Sequence, residues 1–140
     1  MPPDLPHITA AELRVLKAVW RLGEVTVRDV RDLLEKDDAD GDPPAYTTVM
    51  TLMNQLASKG ALDVDRDRQP YVYKAAVRRD SVLAERLKQF VSTVFDGQAG
   101  ELVLRLVEEV DLSPDVLKRL EAMIEAKERQ KLDRTEESKP

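Results

Sequence analysis

Three threonines and an asparagine, Thr47, Thr48, Thr51 and Asn54, share one stretch of helical pattern, "PPAYTTVMTLMNQLASKGAL", residues 43–62. Hydroxyls and carboxamides both donate and accept hydrogen bonds. On a 3.6-residue wheel Thr47, Met50, Thr51, Asn54 and Ser58 fall on one side, with Thr48 on its flank. Val49, Leu52, Met53 and Leu56 fall opposite, at the i, i+3, i+4, i+7 spacing of a core-facing stripe. The first side is polar yet almost uncharged, which is unusual for a helix that only meets water. It suits base edges: threonine offers a hydroxyl, and a methyl that packs on thymine, and an asparagine amide matches adenine. A helix start also favours nearby phosphate. Either Thr47 or Thr48 is expected to cap the helix, which leaves the other hydroxyls open between solvent and DNA.

A second constellation follows in "LDVDRDRQPYVYKAA". Leu62, Val64, Arg66 and Arg68 share one parity and Asp63, Asp65 and Asp67 the other, so the period is that of a strand. With a turn near Gln69-Pro70 and a second alternating run, the segment predicts a β-hairpin. Strand alternation would aim Arg66 and Arg68 the same way, as a phosphate clamp or minor-groove probe. The alternative is a solvated hairpin with internal ion pairs. Tyr71 and Tyr73 are expected to pack, and Lys59 is either a backbone contact or an ordinary helix end.

Other chemistries lack their residues. There is no cysteine, which excludes disulfides, thiolate metal sites and a cysteine nucleophile, and fits a reducing compartment. The single histidine, His7, lies in a Pro-rich leader and is expected to be solvated. Asp37, Asp38, Asp40 and Asp42 lack the spacing and closing glutamate of a calcium loop. No Gly-rich phosphate loop, Ser/His arrangement or metal-ligand cluster is evident, so no catalytic residue, metal or cofactor is expected. Neither a signal peptide nor an apolar run of membrane-spanning length is found, and a soluble, cytoplasmic protein without a membrane partner is expected. The net charge of −5 argues against tight non-specific binding to nucleic acid. Residues 1–79 carry net −1 and 80–140 net −4, and screening over about 10 Å lets a local basic surface act.

The elements that must position these residues are mostly helical, as 35% charged residues with 4% aromatics suggests. "TAAE" is a capping box of Thr9 and Glu12 opening a helix with Leu13, Leu16 and Trp20 on one face, ended by Gly23. "EVTVRDVRDLLEK" predicts an extended piece at Val25, Thr26 as N-cap and a helix burying Val27, Val30, Leu33 and Leu34. The acidic, Gly- and Pro-rich "DDADGDPP" breaks the pattern before the threonine-bearing helix. Three helices and a hairpin, over 8–76, are the order of a winged helix-turn-helix, whose third helix enters the major groove. Residues 80–131 predict further helices, with Leu83, Leu87, Phe90, Leu102, Leu106, Leu117, Leu120 and Ile124 on apolar faces and Ser113 capping the last. These helices either fold back or form a dimerisation region; the second is preferred, because two-fold symmetry matches a palindromic operator. Residues 132–140 are expected to be disordered. The fold class is therefore mainly α with a small β-hairpin: a winged helix-turn-helix followed by a C-terminal helical dimerisation region.

"TAAELRVLKAVW", "VTVRDVRDLL", "AYTTVMTLMNQLASKGAL" and "YVYKAAV" resemble, in order and spacing, the first two helices, recognition helix and wing of the BlaI/MecI/CopY-type penicillinase-repressor family. "FVSTVFDGQAGELVLRLVEE" resembles the start of its dimerisation region, and the likeness spans roughly residues 8–130. The resemblance implies a homodimeric bacterial repressor on an inverted-repeat operator in double-stranded DNA. Thr47, Thr48, Met50 and Thr51 would face bases and phosphates, with Arg66 and Arg68 in the wing. Two family features have no counterpart. The β-lactam-responsive members are cut by a sensor-triggered protease at an Asn-Phe bond where this chain has Arg105-Leu106, and the copper-responsive members end in cysteine ligands. The resemblance thus supports DNA binding and leaves the signal, and any sensor or protease, open. The rival reading is a winged helix that binds protein and has little specific DNA binding.

Overall fold

A computed structural model describes residues 5–37 and 41–137. Asp38 and Asp40 of the acidic loop, the first four residues of the leader and the last three of the tail lie outside the described residues. The elements are α1 (Ala10–Leu22), α2 (Val27–Asp37), α3 (Tyr46–Ser58), β1 (Leu62–Asp65), β2 (Val72–Ala75), α4 (Arg79–Val94), α5 (Ala99–Glu109) and α6 (Pro114–Glu137). Three helices followed by an antiparallel hairpin make the winged helix-turn-helix expected from the sequence. The described residues fall into two units that divide within α4, one ending at Phe90 and the other beginning at Val91.

The first unit is built on one apolar cluster. Val15, Leu16 and Val19 of α1, Val30 and Leu34 of α2, and Val49, Met53 and Leu56 of α3 are buried with Val25, Leu62 and Tyr73. Burying each such side chain stabilises by about 1.5–3 kcal/mol, which fixes the helix faces that turn outward. Val82 of α4 is buried in the same cluster, and Arg86 Nη1 donates to the Ile8 carbonyl at 3.1 Å. The first turns of α4 therefore belong to the winged unit, although they were expected to start the dimerisation region at residue 80.

Helix ends follow local chemistry. Thr9 and Glu12 form the capping box, with Glu12 N–H donating to Thr9 Oγ1 at 3.1 Å and Thr9 N–H to Glu12 Oε1 at 3.0 Å. Thr26 and Asp29 repeat it at α2, at 3.0 and 3.2 Å. At the end of α3, Gly60 has φ 82°, Ala61 N–H donates to the Leu56 carbonyl at 2.9 Å and Gly60 N–H to that of Ala57 at 3.1 Å. This is a Schellman motif, and it turns the chain into β1. The hairpin pairs Leu62 with Ala75, Asp63 with Lys74, Val64 with Tyr73 and Asp65 with Val72. Val25 adds an isolated bridge to Tyr73, giving the extended piece expected there.

In the second unit Asp96 and Gly97, at φ 51° and 81°, separate α4 from α5. Ser113 Oγ accepts from Val116 N–H at 3.2 Å and caps α6. Helix α6 continues to Glu137, past the point where disorder was expected from residue 132. The lack of apolar residues after Leu132 removes a core-facing stripe but not helix propensity: Lys, Arg and Glu are good helix formers, and Thr135 Oγ1 donates to the Lys131 carbonyl at 2.8 Å. Among the described residues no helix is long and apolar enough to cross a membrane.

Candidate nucleic-acid interface

The side of α3 opposite the core presents Thr47, Met50, Thr51, Asn54 and Ser58, all exposed, with Thr48 exposed on the flank. The helix begins one residue before the first threonine. Ala45 is the N-cap, in extended conformation, and among the described residues no side-chain cap hydrogen bond is found at this end. The expected capping by Thr47 or Thr48 is therefore not found. Both lie inside the first turn, where a hydroxyl no longer reaches the N2 and N3 amides as an N-cap does. Among the described residues the first-turn N–H groups thus have no side-chain cap, a setting that attracts anions. Thr51 Oγ1 donates to the Thr47 carbonyl at 2.9 Å, so its oxygen is left as an acceptor facing outward.

Asn54 is tied more tightly than its sequence position suggests. Its Oδ1 accepts from the Tyr73 hydroxyl at 3.0 Å. Tyr73 is 2% exposed, and its backbone exchanges hydrogen bonds with Val25 at 2.9 and 2.7 Å. Burial pushes the Tyr73 phenol above its ordinary range, with the nearby Arg66 charge acting in the opposite sense. Tyr71, expected to pack like Tyr73, is instead exposed, one residue before the start of β2.

The wing differs from the expected hairpin in its tip. Strand β1 stops at Asp65, whose Oδ1 accepts from Asp67 N–H at 3.0 Å and starts a turn. Arg66 and Arg68 thus sit in a loop, and strand alternation does not set their directions. Arg68 Nη1 lies 3.5 Å from Glu24 Oε2, toward the α1–α2 turn. Between α3 and the loop runs a cleft of about 200 Å³, lined by Tyr46, Met50, Asn54, Pro70 and Tyr71 among others. Tyr46, Pro70 and Tyr71 were not foreseen as part of this surface. The proline pair before the helix was the available signal for Tyr46, since Pro43-Pro44 keeps the chain extended up to a helix start.

Lys59, left open between a backbone contact and a helix end, is committed elsewhere: its Nζ lies 2.6 Å from Glu12 Oε1 and 2.9 Å from the His7 carbonyl oxygen. Of the candidate dimerisation residues in the first unit, Leu83 is half-buried and Leu87 and Phe90 are exposed. In the second unit Leu102 and Leu120 are half-buried, and Leu106, Leu117 and Ile124 are exposed. Among the described residues no group of three or more histidine, aspartate or glutamate side chains is placed to hold a metal ion.

The sequence profile of the penicillinase repressor family matches residues 8–126. The methicillin resistance regulatory protein MecI of Mammaliicoccus sciuri is 27% identical over 86% of this chain and 95% of its own length. The penicillinase repressor of Bacillus licheniformis is 24% identical over 86% and 91%. Among solved structures, monomeric BlaI of Bacillus licheniformis in complex with the blaP half-operator is 26% identical over 55% of this chain and 89% of that one, with a TM-score of 0.45. With a profile match over most of its length, the chain belongs to the penicillinase repressor family, whose members are DNA-binding transcriptional repressors and not enzymes.

Proposed function

We propose that this repressor binds an inverted-repeat operator as a homodimer, each copy laying α3 in a major groove and its wing loop against the neighbouring backbone. The observation that carries the dimer is that none of residues 91–136 is buried. A helix as short as the 11-residue α5 is marginal alone, and amphipathic helices gain most of their stability by burying an apolar face. Here Val103, Leu106 and Val107 of α5 and Leu117 and Ile124 of α6 remain exposed. A second copy supplies the missing core and at the same time spaces two recognition helices for two half-sites. Thr47, Thr48, Met50, Thr51 and Asn54 serve as the base- and phosphate-facing set, and Arg66 and Arg68 neutralise phosphates. The uncapped start of α3 adds a phosphate site that carries no net positive charge, in keeping with an acidic chain.

The test is fluorescence anisotropy on the duplex upstream of the protein's own transcription unit beside a scrambled duplex, at several salt concentrations. A preference of about 10³-fold or more, with affinity falling steeply as salt rises, is the expected result. Weak, equal and salt-insensitive binding to both duplexes would instead favour a winged helix that binds protein.

A further inference from the structure

We infer that Tyr73 sets the base preference of Asn54: by engaging the amide oxygen, it leaves the amide's N–H donors for the groove, so that Asn54 selects guanine over adenine. The inference rests on the operator-binding reading above and deepens it to one residue and one base.

The geometry has three parts. First, the Tyr73 hydroxyl donates to Asn54 Oδ1 at 3.0 Å, while Asn54 itself is exposed on the same side of α3 as Thr47, Met50 and Thr51. Second, the hydroxyl is held from the core. The Tyr73 ring is 2% exposed, and its backbone is bonded in both directions to Val25, so the anchor does not depend on the exposed wing loop. Third, burial keeps the phenol protonated, which makes the hydroxyl a donor that needs an acceptor. Turning the amide over would put its NH₂ against Tyr73 and take that acceptor from a part-buried hydroxyl, an unfavourable exchange.

Reading follows from which amide atoms are free. The bidentate pairing of asparagine with adenine needs the amide oxygen to accept from N6–H while the NH₂ donates to N7. With the oxygen turned to Tyr73, the NH₂ is the part presented. Guanine places two acceptors, N7 and O6, side by side, whereas adenine puts its own amino donor next to N7. The donor edge of Asn54 is therefore matched by guanine and opposed by adenine, and the wing, through one buried hydroxyl, acts on the specificity of the helix. Tyr73 is a positioning residue; Asn54 is the reader.

The test is selection by the full-length protein from a random-duplex pool, with sequencing of the bound fraction. Wild type is expected to enrich guanine over adenine by about tenfold at one position of each half-site. Asn54→Ala should flatten that position and leave the others. Tyr73→Phe keeps the ring in the core and frees the amide, so the same position should move toward adenine. Asn54→Asp keeps an acceptor for Tyr73 and presents no donor, so guanine should be lost there even if Tyr73→Phe does not fold. Three results overturn the inference: an unchanged profile for Tyr73→Phe, guanine retained by Asn54→Asp, or no position altered by Asn54→Ala. In each of these the wild type still enriches a site and the operator-binding reading stands. A wild type that enriches no sequence removes that reading and this inference together.

Discussion

Lys59 Nζ lies 2.6 Å from Glu12 Oε1, joining the end of α3 to the first turn of α1 across a carboxylate that is 1% exposed. The same ammonium reaches the His7 carbonyl oxygen at 2.9 Å, so the segment before α1 is held as well. Glu12 Oε1 also accepts from Thr9 N–H, while Oε2 has no hydrogen-bond partner among the described residues. The capping box of α1 is thus one half of a buried ion pair that fixes where α3 ends.

Burial alone would raise the Glu12 carboxyl, but Lys59 and the Thr9 N–H outweigh it and hold the group below the ordinary glutamate range. A folded pKa below the unfolded one stabilises the protein above the unfolded value of about 4, and that contribution fades as pH falls through the folded value. Lys59→Met leaves the carboxylate buried without its cation. We expect a loss of about 2 kcal/mol at pH 7, short of the ~3–5 kcal/mol of a fully enclosed pair because Lys59 reaches solvent. Urea unfolding at pH 7 and pH 3 measures both effects: the gap between wild type and Lys59→Met should close at the lower pH. An equal gap at both would assign the loss to packing by the lysine stem.

Thr51→Val and Met50→Ala should weaken binding to the operator by about tenfold each and leave binding to random duplex unchanged. The Thr51 hydroxyl donates within its own helix, so the valine tests the outward-facing oxygen at little cost to the helix. Arg66→Ala should instead weaken all duplexes alike and reduce the slope of log affinity against log salt by about one. Titrations of operator and scrambled duplex at three salt concentrations separate the two classes. Equal losses on both duplexes for all three variants would remove α3 as the reader.

How much of this was legible depended on the sequence distance over which each interaction works. The Thr9–Glu12 and Thr26–Asp29 boxes span three residues, and the stripe Val49, Met53, Leu56 repeats within one helix, so both could be read directly. Glu12 with Lys59 and Asn54 with Tyr73 lie 47 and 19 residues apart, and no local pattern encodes either pair. The helix start at Tyr46 was misjudged because capping preference favoured a threonine, whereas the proline pair ahead of Ala45 set the boundary. Arg66 and Arg68 were placed by extending a strand period past Asp65, where a side chain-to-backbone bond had already begun a turn. Helix α6 ran past its last apolar stripe because propensity without burial still favours helix in a charged segment.

If the proposed dimer forms through these helices, Leu117→Glu with Leu120→Glu should leave the protein monomeric, because each change puts a charge on an exposed or half-buried apolar position of α6. Light scattering reads the mass directly. Operator affinity should fall by more than about tenfold as the two half-sites lose their linkage, while binding to a single half-site should stay within about twofold. A dimer that persists would place the interface away from α6.

Arg68 Nη1 and Glu24 Oε2 are 3.5 Å apart with both side chains more than half exposed, so the pair contributes little to stability, under about 1 kcal/mol. It nevertheless sets the direction of the wing arginine: Arg68 lies toward the α1–α2 turn, and in the proposed complex a phosphate would compete with Glu24 for it. Glu24→Gln removes that competitor and one negative charge beside the wing. We expect stability within about 0.5 kcal/mol of wild type, and affinity for operator and scrambled duplex alike to rise by about two- to fivefold at low salt, with the gain fading as salt screens the site. The double variant Glu24→Gln with Arg68→Ala should lose most of the gain, because the benefit passes through the freed guanidinium. If the double variant keeps the full gain, Glu24 acts on DNA by general repulsion and Arg68 makes no phosphate contact.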